Sequence, residues 1–226
     1  TLRYRSNGDW SCPVVVRVPV GGYIHGSLCH SQSIDGYFTH LPGIYVVYPS
    51  NAADAKALLK TACRMNDPIL FLEHKGLYRQ NFAASNEPDD STLLQLGKGR
   101  YVTKGDDVTI ITWGAIVQKS VQAVKKMNIS ADIIDIRTLN PLDLDIIGES
   151  INKTNRVIIA HEDNITSGFG GEISAILSEH FFDKLDAPII RVGSKDFPIA
   201  YSSSLEDNIL VQTRWIEEAI EKVINF

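Results

Sequence analysis

The chain has 226 residues, 44% hydrophobic and 22% charged, which fits a soluble globular protein of one large or two modest domains with ample material for a core. The formal net charge is −5 with Lys and Arg scattered, so no basic stripe exists for a phosphate backbone and nucleic acid is excluded as a partner. No apolar run approaches the roughly 20 residues of a membrane span, and Cys12, Cys29 and Cys63, without any CxxC spacing, indicate neither a disulfide framework nor a structural zinc site.

A reducing cytoplasm is the expected home. The start at Thr1, without Met, in "TLRYRSNGDW" reads as a cut inside a longer polypeptide. From there β-branched runs alternate with helical patterns, the signature of parallel βαβ units. "PVVVRVPVGG" predicts a strand closed by Pro and Gly, after which Ser33 is expected to cap a helix over "IDGYFTHL". "IYVVYP" is the next strand. The spacing of Ala53, Lys56, Ala57, Lys60 and Cys63 then predicts a helix capped by Ser50 or Asn51, and "PILFLEHKGLYR" a buried strand. These three strands and two helices make only part of a doubly wound layer.

From Gln80 to Asp107 the apolar period stops, and residues 81–105 are read as an interdomain linker holding one short strand. The alternation then resumes: "DVTIITWG", "ADIIDIR", "RVIIAHE" and "PIIRVGS" are strands. "AIVQKSVQAVKKM", "LDLDIIGESINKT", "GGEISAILSEHFFDKL" and "RWIEEAIEKVINF" are helices. This second half, 106–226, is expected to bury its own sheet and to fold alone; the first, 1–80, is not.

His25, Cys29, His30 and His40 lie within sixteen positions and invite a metal reading, but adjacent residues of an extended segment point to opposite sides and no tight ligand pair accompanies them. Two readings of His30 remain. It sits in a loop feeding a capped helix, or it serves proton transfer at the C-terminal edge of a parallel sheet, where ligand sites of α/β proteins gather. "TSGFGGE", residues 166–172, could cradle an anion at a helix N-terminus, although it lacks the dinucleotide fingerprint and close packing of a loop explains it equally. His161 and Glu162 either face a cleft or form a polar strand end.

The long stretch from "RVPVGGYIHGSLCHSQSIDGYFTHLPGIYVVYPSNAADAKALLKTACRMNDPILFLEHKGLYR" resembles the beta-subunit region of the thiamine-diphosphate-dependent 2-oxoacid dehydrogenases. The branched-chain (2-oxoisovalerate) type is most similar and the pyruvate type close. "DVTIITWGAIVQKS", "DIIDIRTLNPLDLDII", "SGFGGEIS" and "LDAPIIRVGSKDFPIAYS" extend the resemblance over nearly the whole chain. It implies an α/β fold: the rear of a transketolase-like pyrimidine-binding domain, followed by a transketolase C-terminal domain with a mainly parallel sheet between helix layers. It also implies oxidative decarboxylation of a 2-oxo acid on thiamine diphosphate and reductive acyl transfer to a lipoyl group, in the bacterial cytoplasm or the mitochondrial matrix.

By the same resemblance, His30 of "HSQS" matches the family histidine that lines the cofactor channel and serves the acyl-transfer step, and Ser31, Gln32 and His25 line the same channel. A glutamate upstream of this region, aromatic residues and an alpha subunit or alpha region hold the cofactor and its Mg ion, so the chain is expected to be inactive alone. A potassium ion ties the strand around Cys12, Val14 and Val15 to the turn around Ala62, Met65 and Asp67, largely through backbone carbonyls. Further expected partners are a second copy, paired through the C-terminal halves, and a lipoyl-bearing dihydrolipoyl acyltransferase core that meets the end near Phe226. A noncatalytic docking module of this architecture is the alternative.

Overall fold

The computed structural model describes residues 2–226. The first part contains α1 (Leu2–Arg5), β1 (Val15–Val20), α2 (Ser27–His30), α3 (Asp35–Thr39), β2 (Tyr45–Val47), α4 (Ala52–Ala62) and β3 (Ile69–His74). After a stretch with two single 3-10 turns come β4 (Arg100–Thr103), β5 (Val108–Thr112), α5 (Ile116–Met127), β6 (Ala131–Asp135), β7 (Thr138–Asn140) and α6 (Leu144–Thr154). The chain closes with β8 (Val157–Asn164), α7 (Phe169–Phe181), β9 (Ile190–Ser194), α8 (Ser203–Ile209) and α9 (Thr213–Ile224).

Local chemistry explains the boundaries. Asn51 caps α4, its side chain accepting the Asp54 amide at 3.0 Å. Helices α5 and α6 both stop at an asparagine in the left-handed conformation, Asn128 (φ 53°) and Asn155 (φ 57°), which an Asn side chain tolerates better than most. On α9, Ile216, Ala219, Ile220 and Val223 recur at helical spacing and are the residues it buries. Ser33 does not cap α3: its hydroxyl instead donates to Glu162, 129 positions away, and Ile34 takes the cap position without a side-chain bond.

Two mainly parallel sheets result. The first runs β1-β3-β2-β7 and the second β4-β6-β5-β8-β9, with β7 and β4 the antiparallel edges. In the second sheet, Val108, Ile110 and Ile133 face the cluster covered by α5 and α9. Ile111, Ile134 and Ile159, one residue out of phase, face the opposite cluster with α6 and α7. That second cluster also takes in Val46, Leu70 and Leu72 of the first sheet, so a single core lies between the two sheets.

The second half buries its own sheet between helix layers, and it also shares part of its core and one strand with the first half. β4, inside the stretch read as linker, is a strand of the second sheet, and β7 leaves that half to pair with β2, Val47 opposite Thr138. A second junction is polar. Arg137 donates to the carbonyls of Lys98 (2.7 Å) and Gly99 (3.0 Å) and reaches Asp54 at 3.3 Å, while Arg100 meets Asp54 at 2.9 Å. Ser50 donates to Asp135, whose carboxyl burial pushes up to about 6 against the opposing pull of Arg100.

A shared core predicts that the chain unfolds in urea as one transition, seen together by far-UV circular dichroism and tryptophan fluorescence. Leu72→Ala and Ile134→Ala, one in each sheet, should each lower the unfolding free energy by about 2–5 kcal/mol. Two separable transitions, each moved by only one variant, would contradict it.

Candidate functional site

Parallel strands β1 and β3 end side by side at Val20 and His74, and the segment leaving β1 carries the "HSQS" motif. Gly21 turns it with φ +86°, where a Cβ would lie 2.3 Å from the His74 ring, so only glycine fits on both counts. The next residues alternate through the left-handed region: Tyr23 (φ 61°), His25 (φ 56°) and Ser27 (φ 54°). Each costs roughly 1–2 kcal/mol for a side chain of this kind, so the segment holds this shape only because the rest of the fold fixes it.

The second half does the fixing. Glu162, near the end of β8 and 5% exposed, accepts the Gly22 amide at 2.7 Å, the Ser33 hydroxyl at 3.1 Å and the His74 Nε2 hydrogen. Burial by itself would raise this carboxyl; the contact with His74, the Gly22 amide and the Ser33 hydroxyl outweigh it and hold the group below the ordinary 4.5. The Tyr23 hydroxyl donates to the Val211 carbonyl at 2.8 Å. Glu206 of α8, 1% exposed, receives the His25 amide at 3.2 Å and the His25 Nδ1 at 2.8 Å. Asp163 receives the Gly36 amide at 2.9 Å, and the Trp113 indole donates to Asp35 at 2.8 Å. Burial first pushes both Asp35 and Asp163 up; the Asp163 charge adds to the rise of Asp35, and the Glu162 charge to that of Asp163.

The nominated channel residues come together here. His30 ends α2 with its ring exposed, and the Lys75 ammonium donates to its carbonyl. Ser31 is buried, its Oγ accepting the Gly26 amide at 2.9 Å, and the Gln32 carbonyl accepts the Gly21 amide at 3.0 Å. His25 turns to Glu206, away from any shared metal with Cys29, His30 or His40. Among the described residues no three His, Cys, Asp or Glu side chains converge on a metal position.

Two of the three glycines of "TSGFGGE", Gly168 and Gly170, are packing residues. A Cβ on Gly168 would lie 2.2 Å from the Asn164 carbonyl oxygen, and one on Gly170 would lie 2.5 Å from the His161 ring. His161 is fully buried, stacked on Trp113 with ring centroids 5.3 Å apart and planes 4° from parallel, and its nitrogens have no partner among the described residues. Burial, with the nearby Arg191 charge, lowers it from 6.5 to about 4. His161 and Glu162 thus form neither an open cleft lining nor a mere strand end; they are interior residues where the two halves meet.

The segments nominated for potassium also adjoin. The Cys12 amide donates to the Asn66 carbonyl and the Ile69 amide to the Val14 carbonyl, both at 2.9 Å, while Val15 pairs with Ile69 in the sheet. The Ala62 carbonyl accepts the Met65 amide at 3.1 Å, and the Asp67 carboxylate is taken by Arg3 at 2.7 Å. A cavity of about 580 Å³ opens on another side of β3, but its acid, Glu73, is held by Arg17 and by the Tyr78 hydroxyl at 2.6 Å.

Glu206, Asp163, Asp35, Trp113 and His74 escaped sequence reasoning. Glu206 stands in the polar stretch "SSSLEDNILV", where no periodicity separates a buried acid from a solvated one. The one available signal was "FLEH", a histidine ending a strand that is otherwise apolar.

The matching family models are "Transketolase, pyrimidine binding domain" over residues 1–81 and "Transketolase, C-terminal domain" over residues 97–216. Among curated proteins, the chain is 42% identical to the "2-oxoisovalerate dehydrogenase subunit beta" of Bacillus subtilis (strain 168), over all of this chain and 69% of that protein. It is 38% identical to the "Pyruvate dehydrogenase E1 component subunit beta" of the same organism, over all of this chain and 69% of that protein. The corresponding Porphyra purpurea protein is 37% identical, over 99% of this chain and 68% of that one. A solved "Split gene transketolase, inactive beta4 tetramer" superposes with a TM-score of 0.76 at 23% identity, covering 95% of this chain and 67% of that one, which establishes the fold.

The buried His161 gives a pH prediction. Its folded value, about 4, lies below the ordinary 6.5, so the unfolded chain takes up the proton first. Its contribution is full above about pH 6.5 and is lost as pH falls towards 4, a change of about 3 kcal/mol. The difference in unfolding free energy between wild type and His161→Phe should shrink by about that amount from pH 7.5 to 4; a constant difference would contradict the assignment.

Proposed function

The chain belongs to the beta subunits of the 2-oxoacid dehydrogenases, built from transketolase pyrimidine-binding and C-terminal domains, and from that premise we propose that it forms the beta part of the decarboxylating component for a branched-chain 2-oxo acid. In this reading it oxidatively decarboxylates the acid together with an alpha chain and passes the acyl group to a lipoyl domain of an acyltransferase core. The observation that carries the reading is the placement of His30: an exposed imidazole at the C-terminal edge of parallel strands, on a segment held by buried carboxylates of the other half.

An imidazole there suits the transfer step. Thiamine diphosphate, held together with the alpha chain, would supply the electron pair that reduces the lipoyl disulfide. One sulfur takes the acyl group, and the other leaves as a thiolate that needs a proton. An imidazole can supply that proton and recover it from water. Ser31 and Gln32 hold the backbone beside it, and His25 holds the approach.

Thiamine diphosphate is the cofactor this reading requires, with its Mg ion. The described residues of this chain do not fit that group by themselves: no carboxylate set converges on a metal, and the glycine turn before α7 is filled by His161. The diphosphate and the ion are therefore assigned to the complementary alpha chain, and the isolated chain to inactivity. Potassium is proposed at the junction of the Cys12–Val15 and Ala62–Asp67 segments, bound through backbone carbonyls. Self-association rests on the exposed Phe182 and Phe226 of the second half; most of the apolar face of α9 is already spent on its own core.

The reading is tested with this chain reconstituted with its alpha partner, thiamine diphosphate and Mg. The value of kcat/KM for 2-oxoisovalerate should exceed that for pyruvate by at least about tenfold, the worth of added methyl groups in an apolar pocket; the reverse order favours the pyruvate type. In His30→Ala, acyl transfer to a lipoyl domain should fall by about 10²-fold or more, and decarboxylation followed with an artificial electron acceptor should fall far less. Equal losses would remove His30 from the transfer step. For the ion, replacing potassium by sodium at constant ionic strength should lower Tm by about 3 °C, and identical melting in both salts would contradict the site.

A further inference from the structure

We propose that Glu206, in the second half of the chain, is the positioning residue for His30. The proposal rests on the reading of His30 as the residue that serves acyl transfer. Glu206 lies in α8, 175 positions or more from the loop it contacts, and its carboxylate is 1% exposed. It accepts the His25 amide at 3.2 and 3.3 Å, pairs with His25 Nδ1 at 2.8 Å, and receives the Ser31 hydroxyl at 3.5 Å. One carboxylate thus grips the chain five residues before His30 and one residue after it.

The helical turn between these grips has little room to shift. Gly26 allows the turn to close: a Cβ there would lie 2.8 Å from His30 Cβ and 2.9 Å from Ser31 Oγ. The Ser31 hydroxyl links the two grips by accepting the Gly26 amide, and Lys75 holds the His30 carbonyl from the side of β3. Left-handed residues at Tyr23, His25 and Ser27 relax towards other conformations once their partners go. The hydrogen bonds and ion pair of Glu206 go to His25 and Ser31 and not to the His30 ring; it sets where the ring stands. α8, closed at its end by the Leu210 amide on the Glu206 carbonyl at 2.9 Å, is seated on the loop by Leu210, against which Gly22 packs so closely that a Cβ would lie 2.3 Å away.

The test uses the enzyme reconstituted with its alpha chain and the ratio of two rates: transfer to a lipoyl domain over decarboxylation with an artificial acceptor. Glu206→Ala should lower that ratio by about tenfold, a modest misplacement of a reacting group. Glu206→Gln, whose amide oxygen still accepts the His25 amide, should restore most of it and keeps the question open to measurement if the alanine variant fails to fold. His30→Ala/Glu206→Ala should transfer no more slowly than His30→Ala alone, as expected for residues that act through one another. If His30→Ala lowers the ratio and neither Glu206 variant does, the positioning role is wrong while the reading of His30 stands. If His30→Ala leaves the ratio unchanged, that reading fails and takes this proposal with it. A fall in both rates together in the Glu206 variants, with the ratio constant, makes Glu206 a structural residue only and overturns the proposal.

Discussion

The arrangement depends on a buried carboxylate at a boundary. Glu162 sits where the end of β8 meets the ends of β1 and β3, and it gathers an amide, a hydroxyl and an imidazole that all belong to the other half of the chain. A carboxylate removed from water is strongly unfavourable unless donors replace its hydration. The segment from Gly21 to Ser33 supplies two of those donors, the Gly22 amide and the Ser33 hydroxyl, only in the conformation that carries "HSQS" to the sheet edge. The constraint therefore acts both ways: the loop satisfies the acid, and the acid dictates the loop. Glu206 repeats the pattern on the same segment with the His25 amide, and Asp163 does so just beyond it with the Gly36 amide of α3.

This explains how a loop with three left-handed non-glycine residues can be part of a functional site without being loose. A hydrogen bond to a charged acceptor contributes about 1.5–3 kcal/mol, comparable with the roughly 1–2 kcal/mol that each left-handed residue costs. The anchors and the strain are thus matched in size, and losing one anchor is enough to release part of the loop. The apolar core beneath is shared by both sheets, so the two halves do not drift apart and the acids keep their register against the loop.

Much of the fold was legible in sequence because strands that are buried on both faces and helices with one apolar face leave patterns of their own. Ile110 and Ile111, or Ile133 and Ile134, read as strand whichever sheet they join. What stayed hidden came from contacts between distant segments. β7, "TLN", is too short to show a period and exists because β2 has an open edge. Ser33 looks like a helix cap by spacing, yet it bonds Glu162, while the Gly36 amide at the start of α3 is taken by Asp163 instead. His30 could be found by resemblance to a family, whereas Glu206, Asp35 and Asp163 could not be found by composition, because a carboxylate's burial is decided by the fold around it. Glu162 was visible as a polar residue ending a strand; that it is the hub was not.

Whether buried acids of the second half hold the loop bearing His30 is decided by amide hydrogen exchange read by mass spectrometry on peptides covering residues 21–36. In the wild-type chain these amides should exchange as slowly as those of β3. In Glu162→Ala the protection should vanish over 21–36 while β5 and β6 keep theirs. A loop that exchanges freely in the wild type, or a variant in which 21–36 stays as protected as before, would contradict the account.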